Sequence, residues 1–246
     1  MFELHNDKKR SGLAMAGKIL KLKQTYKKAS HLKNKNTSTF WNKKLKDETP
    51  FPMSKDREKI VLNFVRQYKG NYLGIGFGNA NLENKLSKYH QLKIFGIDIS
   101  SYSVSNAKKN IRGTFKKASL LKIPFNDNKF DLIVVLEILE HISPQYTFKA
   151  LSEINRVLKE NGLLVISVPL NEGLEVMVRR GNNPNEHTRI YSPELVKSEM
   201  KLSGFKVFKQ SLLYAFNNLY TMKKLLQKYA FKNRWQPNNI IIFAKK

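Results

Sequence analysis

Residues 72–80, with the sequence YLGIGFGNA, decide the fold of this chain. An apolar run in this stretch enters three alternating glycines, which are Gly74, Gly76 and Gly78. Glycines carry no Cβ, so the backbone at a strand-to-helix turn can approach a ligand and the next helix can begin against it. A second apolar run, residues 92–97, leads into Asp98, whose carboxylate can accept hydrogen bonds from both hydroxyls of a ribose. The two runs together predict a pocket for a nucleotide-type cofactor.

The spacing of the glycines indicates which cofactor this pocket takes. A dinucleotide site requires G-x-G-x-x-G, but Asn79 or Asn81 stands at the last position when the count begins at Gly74 or Gly76. The chain therefore lacks the spacing that seats a pyrophosphate, while it keeps the ribose carboxylate. This combination suits a cofactor that contains an adenosine and no phosphate, which is S-adenosylmethionine.

Two later blocks extend the pattern along the chain. Residues 123–142 read IPFNDNKFDLIVVLEILEHI, in which a polar turn precedes the continuous apolar run typical of a parallel strand that is buried on both faces. Residues 186–195 read EHTRIYSPEL. Together with the glycine turn, these blocks resemble the class I S-adenosylmethionine-dependent methyltransferases of the type 11 kind, over residues 72–204.

The resemblance implies a set of site residues. Ligands of an open α/β sheet bind beyond the carboxyl ends of the strands, so the cofactor and the methyl acceptor are expected to meet there. The implied cofactor-binding residues are Gly74, Gly76, Gly78, Asp98, Ile99, Ser119, Leu120, Leu136 and Glu137. The candidates for catalysis, as bases for a hydroxyl acceptor, are Glu140, His141 and His187. The candidates for substrate binding are Arg189 and Tyr191.

Several of these residues also have a purely structural interpretation. Asp98 stands at the end of a predicted strand and could serve as the N-cap of the helix that follows. His141 could simply hydrogen-bond its own loop, and His187 and Arg189 could form ion pairs with Glu186 or Glu194.

The hydrophobic pattern predicts an α/β fold. Seven strands are expected to begin near residues 72, 93, 114, 131, 163, 205 and 239, with helical segments between the early ones, as in a Rossmann-like doubly wound sheet. The resemblance further implies the strand order 3-2-1-4-5-7-6 with the last strand antiparallel. One helix is predicted over residues 152–158, with Gly162 as its stop. Another, over residues 214–230, has an apolar stripe of Ala215, Leu219, Met222, Leu226 and Tyr229.

Composition limits the remaining possibilities. A chain of 246 residues with 41% hydrophobic content can bury one full α/β core plus an appendage. No cysteine is present, which excludes disulfides and thiolate chemistry, and the five histidines show no paired ligand spacing, so we expect no metal. No apolar run approaches the ~20 residues of a membrane span. We therefore expect a soluble, cytoplasmic protein.

The positive charge is concentrated at the two ends of the chain. The net charge is +26. Thirteen basic residues and no acidic one lie within residues 8–46, and ten basic and no acidic residues lie within residues 200–246.

We divide the chain into a basic, partly helical extension, residues 1–50, and a methyltransferase domain, residues 51–246. Such ends favour polyanions, either RNA or an anionic membrane surface, and a rough apolar stripe of Leu13, Ala16, Ile19, Leu20 and Tyr26 fits the membrane. A lysine-rich solvated surface without a partner is the alternative.

Three departures from the family pattern leave the function open. Gly74 replaces a usual acidic residue, Ala80 replaces a glycine, and Ser119 replaces an acid that faces the adenine.

The first hypothesis is a methyltransferase that acts on a small-molecule, saccharide or lipid-linked acceptor. The second is an RNA methyltransferase that uses the basic ends for phosphates and Trp41 and Trp235 for base stacking. The third is a non-catalytic binding module with a degenerate cofactor site.

Overall fold

The computed structural model describes residues 35–47, 54–170, 174–181, 183, 186–214, 220–230 and 236–246, together with residues 17, 20 and 22. Its helices are α1 Ser38–Asp47, α2 Lys55–Val65, α3 Asn81–Leu86, α4 Ser101–Asn110, α5 Thr147–Val157, α6 Leu174–Arg179, α7 Pro193–Leu202 and α8 Tyr220–Tyr229. Its strands are β1 Gly70–Ile75, β2 Leu92–Asp98, β3 Thr114–Lys117, β4 Phe130–Leu136, β5 Leu158–Pro169, β6 Lys206–Leu213 and β7 Asn239–Lys245. The amino-terminal stripe, apart from Leu20, and Trp235 lie outside the described residues.

The strands form one seven-stranded sheet in the order β3-β2-β1-β4-β5-β7-β6. Strands β1 to β5 pair in parallel, and β7 pairs antiparallel with both β5 and β6. The predicted α/β class, strand order and antiparallel last strand are confirmed. Because β1 lies between β2 and β4, the connection after β1 leads to one side of this strand and the connection after β3 returns to its other side, which opens a crevice at the carboxyl ends of β1 and β4.

Each face of the sheet carries its own hydrophobic core. Alternate residues of a strand point to opposite faces, so Leu73 belongs to one core and Tyr72 to the other. Helices α5 and α7 cover the first face, whereas α2, α3 and α4 cover the second. Strand β4, which is covered on both faces, is therefore apolar from residue 132 to residue 136, as its continuous run predicted.

The exit from α5 differs from the prediction. The helix spans Thr147–Val157, and the chain enters β5 at once at Leu158. Asn161, rather than Gly162, adopts the left-handed conformation, with a φ of 60°. Gly162 serves close packing instead, because a Cβ at this position would lie 2.7 Å from the carbonyl oxygen of Lys159. Asparagine tolerates the left-handed region better than most residues, so Asn161 can adopt it within β5, whereas the helix itself ends four residues earlier, at Val157.

Helix α8, Tyr220–Tyr229, lies within the predicted range of residues 214–230, and Ala215 and Leu219 of the predicted stripe lie outside the described residues. The described apolar side chains of α8 are exposed to solvent: Met222, Leu225, Leu226 and Tyr229. They follow an i, i+3, i+4, i+7 spacing and therefore share one face of the helix. Periodicity reports that residues share a face and does not report what covers that face.

A buried carboxylate, Glu199 on α7, holds the two residues predicted to bind substrate. Its oxygens accept hydrogen bonds from Arg189 Nη1 at 2.7 Å and from the Tyr191 hydroxyl at 3.1 Å. The side chains of Arg189 and Glu199 are 7% and 0% exposed. Their contacts fasten the chain segment before α7 to that helix, and Ser192 caps the helix as expected by accepting from the backbone N–H of Leu195.

A second buried carboxylate, Glu83 of α3, fills the space above Gly74. A Cβ on Gly74 would collide with Glu83 Oε1, which accepts a hydrogen bond from the Tyr72 hydroxyl at 2.8 Å. Burial raises the pKa of Glu83 to about 7, and the hydrogen bond from Tyr72 opposes this shift. The glycine at position 74 thus makes room for an acid that arrives from the following helix.

The shifted pKa of Glu83 predicts a pH-dependent stability. The folded value of about 7 lies above the ordinary 4.5, so this group stabilises the fold fully below pH 4.5 and the contribution is lost as the pH rises through about 7. Glu83→Gln keeps an acceptor for Tyr72 and cannot ionise. Relative to the wild type, its free energy of unfolding in urea should improve by about 1–3 kcal/mol between pH 4.5 and pH 8. The exposed Glu160→Gln serves as the control, and a pH-independent difference for Glu83→Gln would contradict the assignment.

Candidate functional site

A cavity of about 320 Å³ opens at the carboxyl ends of β1, β2 and β4. Most of its wall is apolar, which suits a small organic ligand with a few polar groups. It is lined by Asn36, Trp41, Leu45, Ile75, Gly76, Gly78, Ile97, Asp98, Ile99, Ala118, Ser119, Leu120, Leu121, Leu136, Glu137, Ile138, His141, Ile142, Ser143 and Tyr146.

The carboxylate of Asp98 lies at the end of β2 and faces this cavity. Oδ2 accepts a hydrogen bond from the backbone N–H of Gly78 at 2.9 Å, and Oδ1 accepts one from Ser100 at 2.8 Å. Burial raises the pKa of Asp98 to about 6, and the hydrogen bonds from the backbone oppose the shift. Ser100 caps α4 through a hydrogen bond from the N–H of Ser103, so the alternative of Asp98 as that cap is wrong.

The glycine turn closes the cavity from the side of β1. Gly76 and Gly78 have φ values of +67° and +53°, a region that favours glycine. A Cβ on Gly76 would collide with the side chain of Ile138, whereas a Cβ on Gly78 would meet only Leu45, at 3.9 Å. Gly74 does not line the cavity. It was predicted to bind the cofactor, but it lies within β1, where its lack of a side chain accommodates Glu83.

A mostly apolar part of the wall, called the slot below, lies beside Asp98. Ile99, Ser119 and Leu120 line the cavity here together with Ala118. The Ser119 hydroxyl accepts a hydrogen bond from the backbone N–H of Leu121 at 3.1 Å, so it turns toward its own loop. The slot offers apolar surfaces to a planar ring and leaves hydrogen bonding mainly to the backbone.

The end of β4 contributes Leu136 and Glu137 to the wall. The Glu137 carboxylate accepts hydrogen bonds from Ser167 at 2.8 Å and from Asn239 at 3.0 Å, and it forms an ion pair with Arg57 at 2.9 Å. These partners come from β5, β7 and α2. Glu137 therefore joins three distant parts of the chain at the edge of the cavity.

Helix α1, which belongs to the basic amino-terminal extension, covers one side of the cavity. Asn36, Trp41 and Leu45 line it, and the side-chain amide of Asn42 is hydrogen-bonded to Ser100 and Ser101 at the start of α4. Sequence reasoning did not place these residues in the site, although the spacing of Trp41 and Leu45 puts both on one helix face. The division of the chain at residue 50 remains a prediction, and the helix before it contributes directly to this cavity.

Trp41, which the second hypothesis assigned to stacking on an RNA base, is half-buried at the cavity. Its ring lies edge-on to His141, with ring centroids 5.0 Å apart, and its indole N–H donates to Asn36 Oδ1 at 3.2 Å. The ring thus forms part of the cavity wall.

The candidates for catalysis lie together at one end of the cavity. His141 lines the cavity directly, whereas Glu140 and His187 are buried just behind it. Burial, with a smaller contribution from His187, lowers the pKa of His141 to about 3. His141 is therefore neutral near pH 7, and in this environment it is a weak proton acceptor, since an effective base has a pKa near the working pH.

The fold brings together two histidines that are far apart in the chain. The rings of His141 and His187 lie 4.8 Å apart between centroids. One ligand atom each from Glu140, His141 and His187 lies within 4.8 Å of the other two. The expectation of no metal rested on the lack of paired spacing in the sequence, and that lack does not prevent these two histidines from meeting in the fold.

Arg189 and Tyr191, the residues predicted to bind substrate, do not line the cavity. Their side chains are directed to Glu199 and are almost fully buried. The prediction took a structural motif for a contact with substrate, because the partner carboxylate lies on the following helix, outside the motif.

Over the part of the chain that the structure describes, none of the helices is both long and apolar enough to span a bilayer.

Comparisons with known proteins agree with this geometry. Residues 73–166 match the family described as "Methyltransferase domain". An uncharacterized protein from Methanocaldococcus jannaschii is 28% identical over 123 residues, which is 49% of this chain and 50% of that protein. The tRNA N(3)-methylcytidine methyltransferase of Drosophila melanogaster is 29% identical over 103 residues, or 38% of this chain and 32% of that protein. The chain thus spans half or less of the length of the curated relatives it matches.

A solved structure shares the fold at low sequence identity. The phosphoethanolamine N-methyltransferase 2 of Haemonchus contortus, in complex with S-adenosyl-L-methionine, superposes with a TM-score of 0.61 at 18% identity, over 85% of this chain and 57% of that one. The sheet order is that of the class I S-adenosylmethionine-dependent methyltransferases, and residues 73–166 match a methyltransferase domain of this family, whose cofactor is S-adenosylmethionine.

Proposed function

We propose that this protein is an S-adenosylmethionine-dependent methyltransferase that acts on a small-molecule, saccharide or lipid-linked acceptor. The observation that supports it most is the buried Asp98 carboxylate at the cavity, fixed by the backbone of Gly78 and Ser100. A carboxylate held in this way can accept hydrogen bonds from both hydroxyls of a ribose.

The other walls fit the remaining parts of the cofactor. The slot formed by Ile99, Ala118 and Leu120 would hold the adenine, and the turn at Gly76 and Gly78 leaves backbone accessible for the amino-acid end. Gly74 lacks the carboxylate that often stands there, but Glu83 places one above the same strand. When bound, S-adenosylmethionine supplies a methyl group on a positively charged sulfonium, which requires no activation by the protein.

Catalysis then depends mainly on alignment and on the exclusion of water. Helix α1 and the loop after β4 enclose the cavity from two sides, through Trp41 and His141. Holding the two reactants in line can supply much of the rate enhancement, because the entropy of bringing them together is lost on binding rather than at the reaction step. The acceptor enters beside His141, where the candidates for catalysis converge.

The exposed face of α8 favours an acceptor at a lipid surface. Leu225 and Tyr229 are 53% and 72% exposed, and Lys223 and Lys228 lie on the same helix. A basic helix with an exposed apolar face can lie in the headgroup region of an anionic membrane. The alternative of RNA as the acceptor is supported by the charge of the two chain ends and by the relative from Drosophila, whose name specifies a tRNA methyltransferase.

The first prediction concerns the affinity for the cofactor. In calorimetry with S-adenosylmethionine, Asp98→Ala should bind about 10- to 100-fold more weakly, because hydrogen bonds to a charged acceptor contribute about 1.5–3 kcal/mol each. The exposed Asp127→Ala is the control and should bind like the wild type. Equal affinity in Asp98→Ala would overturn the ribose assignment, and no binding to the wild type would favour a non-catalytic module.

The second prediction concerns the pH dependence of that affinity. The pKa of Asp98 is raised to about 6, and the ribose hydroxyls require the ionised form as their acceptor. Affinity should therefore rise with pH through about 6 and level off above it. Asp98→Asn should bind weakly and lose this dependence on pH, whereas a dependence that persists in the variant would assign it to another group.

The third prediction concerns the membrane. The full chain should sediment with vesicles that contain an anionic phospholipid and not with neutral vesicles, and added salt should weaken the association. Leu225→Glu should reduce it by removing an apolar contact and adding a negative charge. Gln227→Glu adds the same charge on the same helix and is the control, and an equal loss in both variants would indicate an effect of charge alone.

The acceptor class can be identified with a radiolabelled methyl donor. Labelled S-adenosylmethionine and the wild-type protein are incubated with separated lipid, RNA and small-molecule fractions, and Asp98→Ala serves as the inactive control. Incorporation into lipid or small molecules supports the proposal, and incorporation into RNA alone supports the alternative.

A further inference from the structure

The buried cluster of Glu140, His141 and His187 has the composition of a metal site. Each residue offers one ligand atom, and these atoms all lie within 4.8 Å of one another. Glu140 is fully buried and His187 is 6% exposed. Ionisable groups are seldom buried in such a group without a structural or functional reason.

The backbone around the cluster is fixed by hydrogen bonds. Thr188 donates from its N–H and its hydroxyl to the carbonyl oxygen of Glu140, at 2.8 and 2.9 Å, and its hydroxyl also lies 3.0 Å from the carbonyl oxygen of Ile142. Asn183 donates to the carbonyl oxygen of His187 at 2.9 Å and accepts from its N–H at 3.2 Å. These bonds hold the segment of His187 against the loop after β4, so the three side chains are brought together by the folded backbone.

His141 provides a second, independent observation. Its Nδ1 atom is buried and has no hydrogen-bond partner among the described residues. A buried ring nitrogen without a partner is costly, and a metal ion satisfies it. The ring is held between Trp41 and His187, with centroids 5.0 and 4.8 Å away, so its orientation is restricted.

The residue types indicate which ion would bind. Two imidazoles and one carboxylate favour first-row transition metals, whereas Mg²⁺ and Ca²⁺ prefer oxygen ligands throughout. Ligand bonds of about 2.0–2.2 Å bring neighbouring ligand atoms to roughly 3 Å from each other. Rotation of the side chains by less than about 2 Å at their tips would therefore complete the site. Three protein ligands leave coordination positions open, as in catalytic metal sites.

We propose that Glu140, His141 and His187 bind one divalent transition-metal ion, such as Mn²⁺, Fe²⁺ or Zn²⁺, and that its open positions hold a hydroxyl oxygen of the methyl acceptor. The second part rests on the proposed methyltransferase function and deepens it, since it identifies the acceptor as an alcohol. His141 also lines the cofactor cavity, so an ion at this cluster lies next to the methyl donor.

This arrangement explains how a hydroxyl acceptor could react without a strong protein base. Coordination lowers the pKa of a bound hydroxyl, so that its proton passes to solvent near neutral pH. The oxygen's electron pair then forms the new O–CH₃ bond while the C–S bond of the donor breaks and its electron pair returns to sulfur. The products are a methyl ether, a neutral thioether and one proton. Glu140, His141 and His187 act in this scheme as ligands and not as bases.

The test is direct metal binding by the full chain, freed of any affinity tag and stripped with a chelator. Titration with Mn²⁺ and with Zn²⁺ by calorimetry should show one site per chain for at least one of the two ions. Glu140→Gln, His141→Ala and His187→Ala should each weaken that binding by more than about tenfold, since even indirect partners of metal ligands cost 10–100-fold. His90→Ala removes an exposed histidine before β2 and is the matched control.

The affinity for S-adenosylmethionine, measured on the same samples, separates this proposal from the previous one. Glu140 and His187 do not line the cavity, so the variants Glu140→Gln and His187→Ala should bind S-adenosylmethionine as the wild type does. Unchanged affinity would also show that these variants are folded. Binding of less than a tenth of an equivalent of both ions to the wild type, or binding unchanged in His187→Ala, overturns the metal site. A specific metal site in a protein that fails to bind S-adenosylmethionine would leave the site standing and remove the methyltransferase assignment.

The role of the ion is tested with the labelled methyl donor. Incorporation should stop when the ion is removed with a chelator and should return with Mn²⁺ or Zn²⁺, while the affinity for S-adenosylmethionine stays unchanged. Incorporation that continues in the stripped protein overturns the role of the ion in holding the acceptor.

Discussion

The site depends on one carboxylate, Asp98, which joins the ends of two parallel strands. It accepts hydrogen bonds from the N–H of Gly78, after β1, and from that of Ser100, before α4. Both donors lie in turns whose backbone groups would otherwise lack partners, so the same interaction fixes the two turns and defines the cavity between them. Burying the carboxylate raises its pKa to about 6, and these backbone donors limit that rise. The acid is thereby kept ionised near neutral pH, which is the state that the proposed role as acceptor for a ribose requires.

The arrangement of carboxylates around this turn differs from the usual pattern of the family. Gly74 lacks the acid that is common in β1, and Glu83 reaches the same region from α3. The acid lies beside Tyr72 and is buried, and burial raises its pKa to about 7. A charge expected on the strand has thus been replaced by a group whose ionisation changes near neutral pH. The glycine and the glutamate form a complementary pair, because the carboxylate occupies the space that a side chain at position 74 would fill.

The basic amino-terminal extension and the end of the cavity at His141 are physically connected. Trp41 of α1 contacts His141 in the loop after β4, and Asn42 binds the start of α4. The extension is therefore more than a charged surface. A partner that binds its lysines, whether a membrane or a nucleic acid, would act on a helix that also forms the cavity wall, which gives that partner a direct route to the site.

The sequence by itself predicted the seven strands and the residues at the ends of β1, β2 and β4 that line the cavity, and the order of the strands came from the resemblance to the methyltransferases. Glycines at a strand end, an apolar run and a terminal carboxylate are local patterns, and the carboxyl ends of parallel strands meet by geometry alone. Only the tertiary structure decided the rest. It showed that Gly74 accommodates Glu83, that Arg189 and Tyr191 bind Glu199, and that the stripe of α8 is exposed. It also brought the rings of His187 and Trp41 next to one ring, that of His141. These contacts join residues that are distant in the chain, and the exposure of α8 depends on whether another element packs against it. Neither the spacing of residues nor the hydrophobic periodicity carries that information.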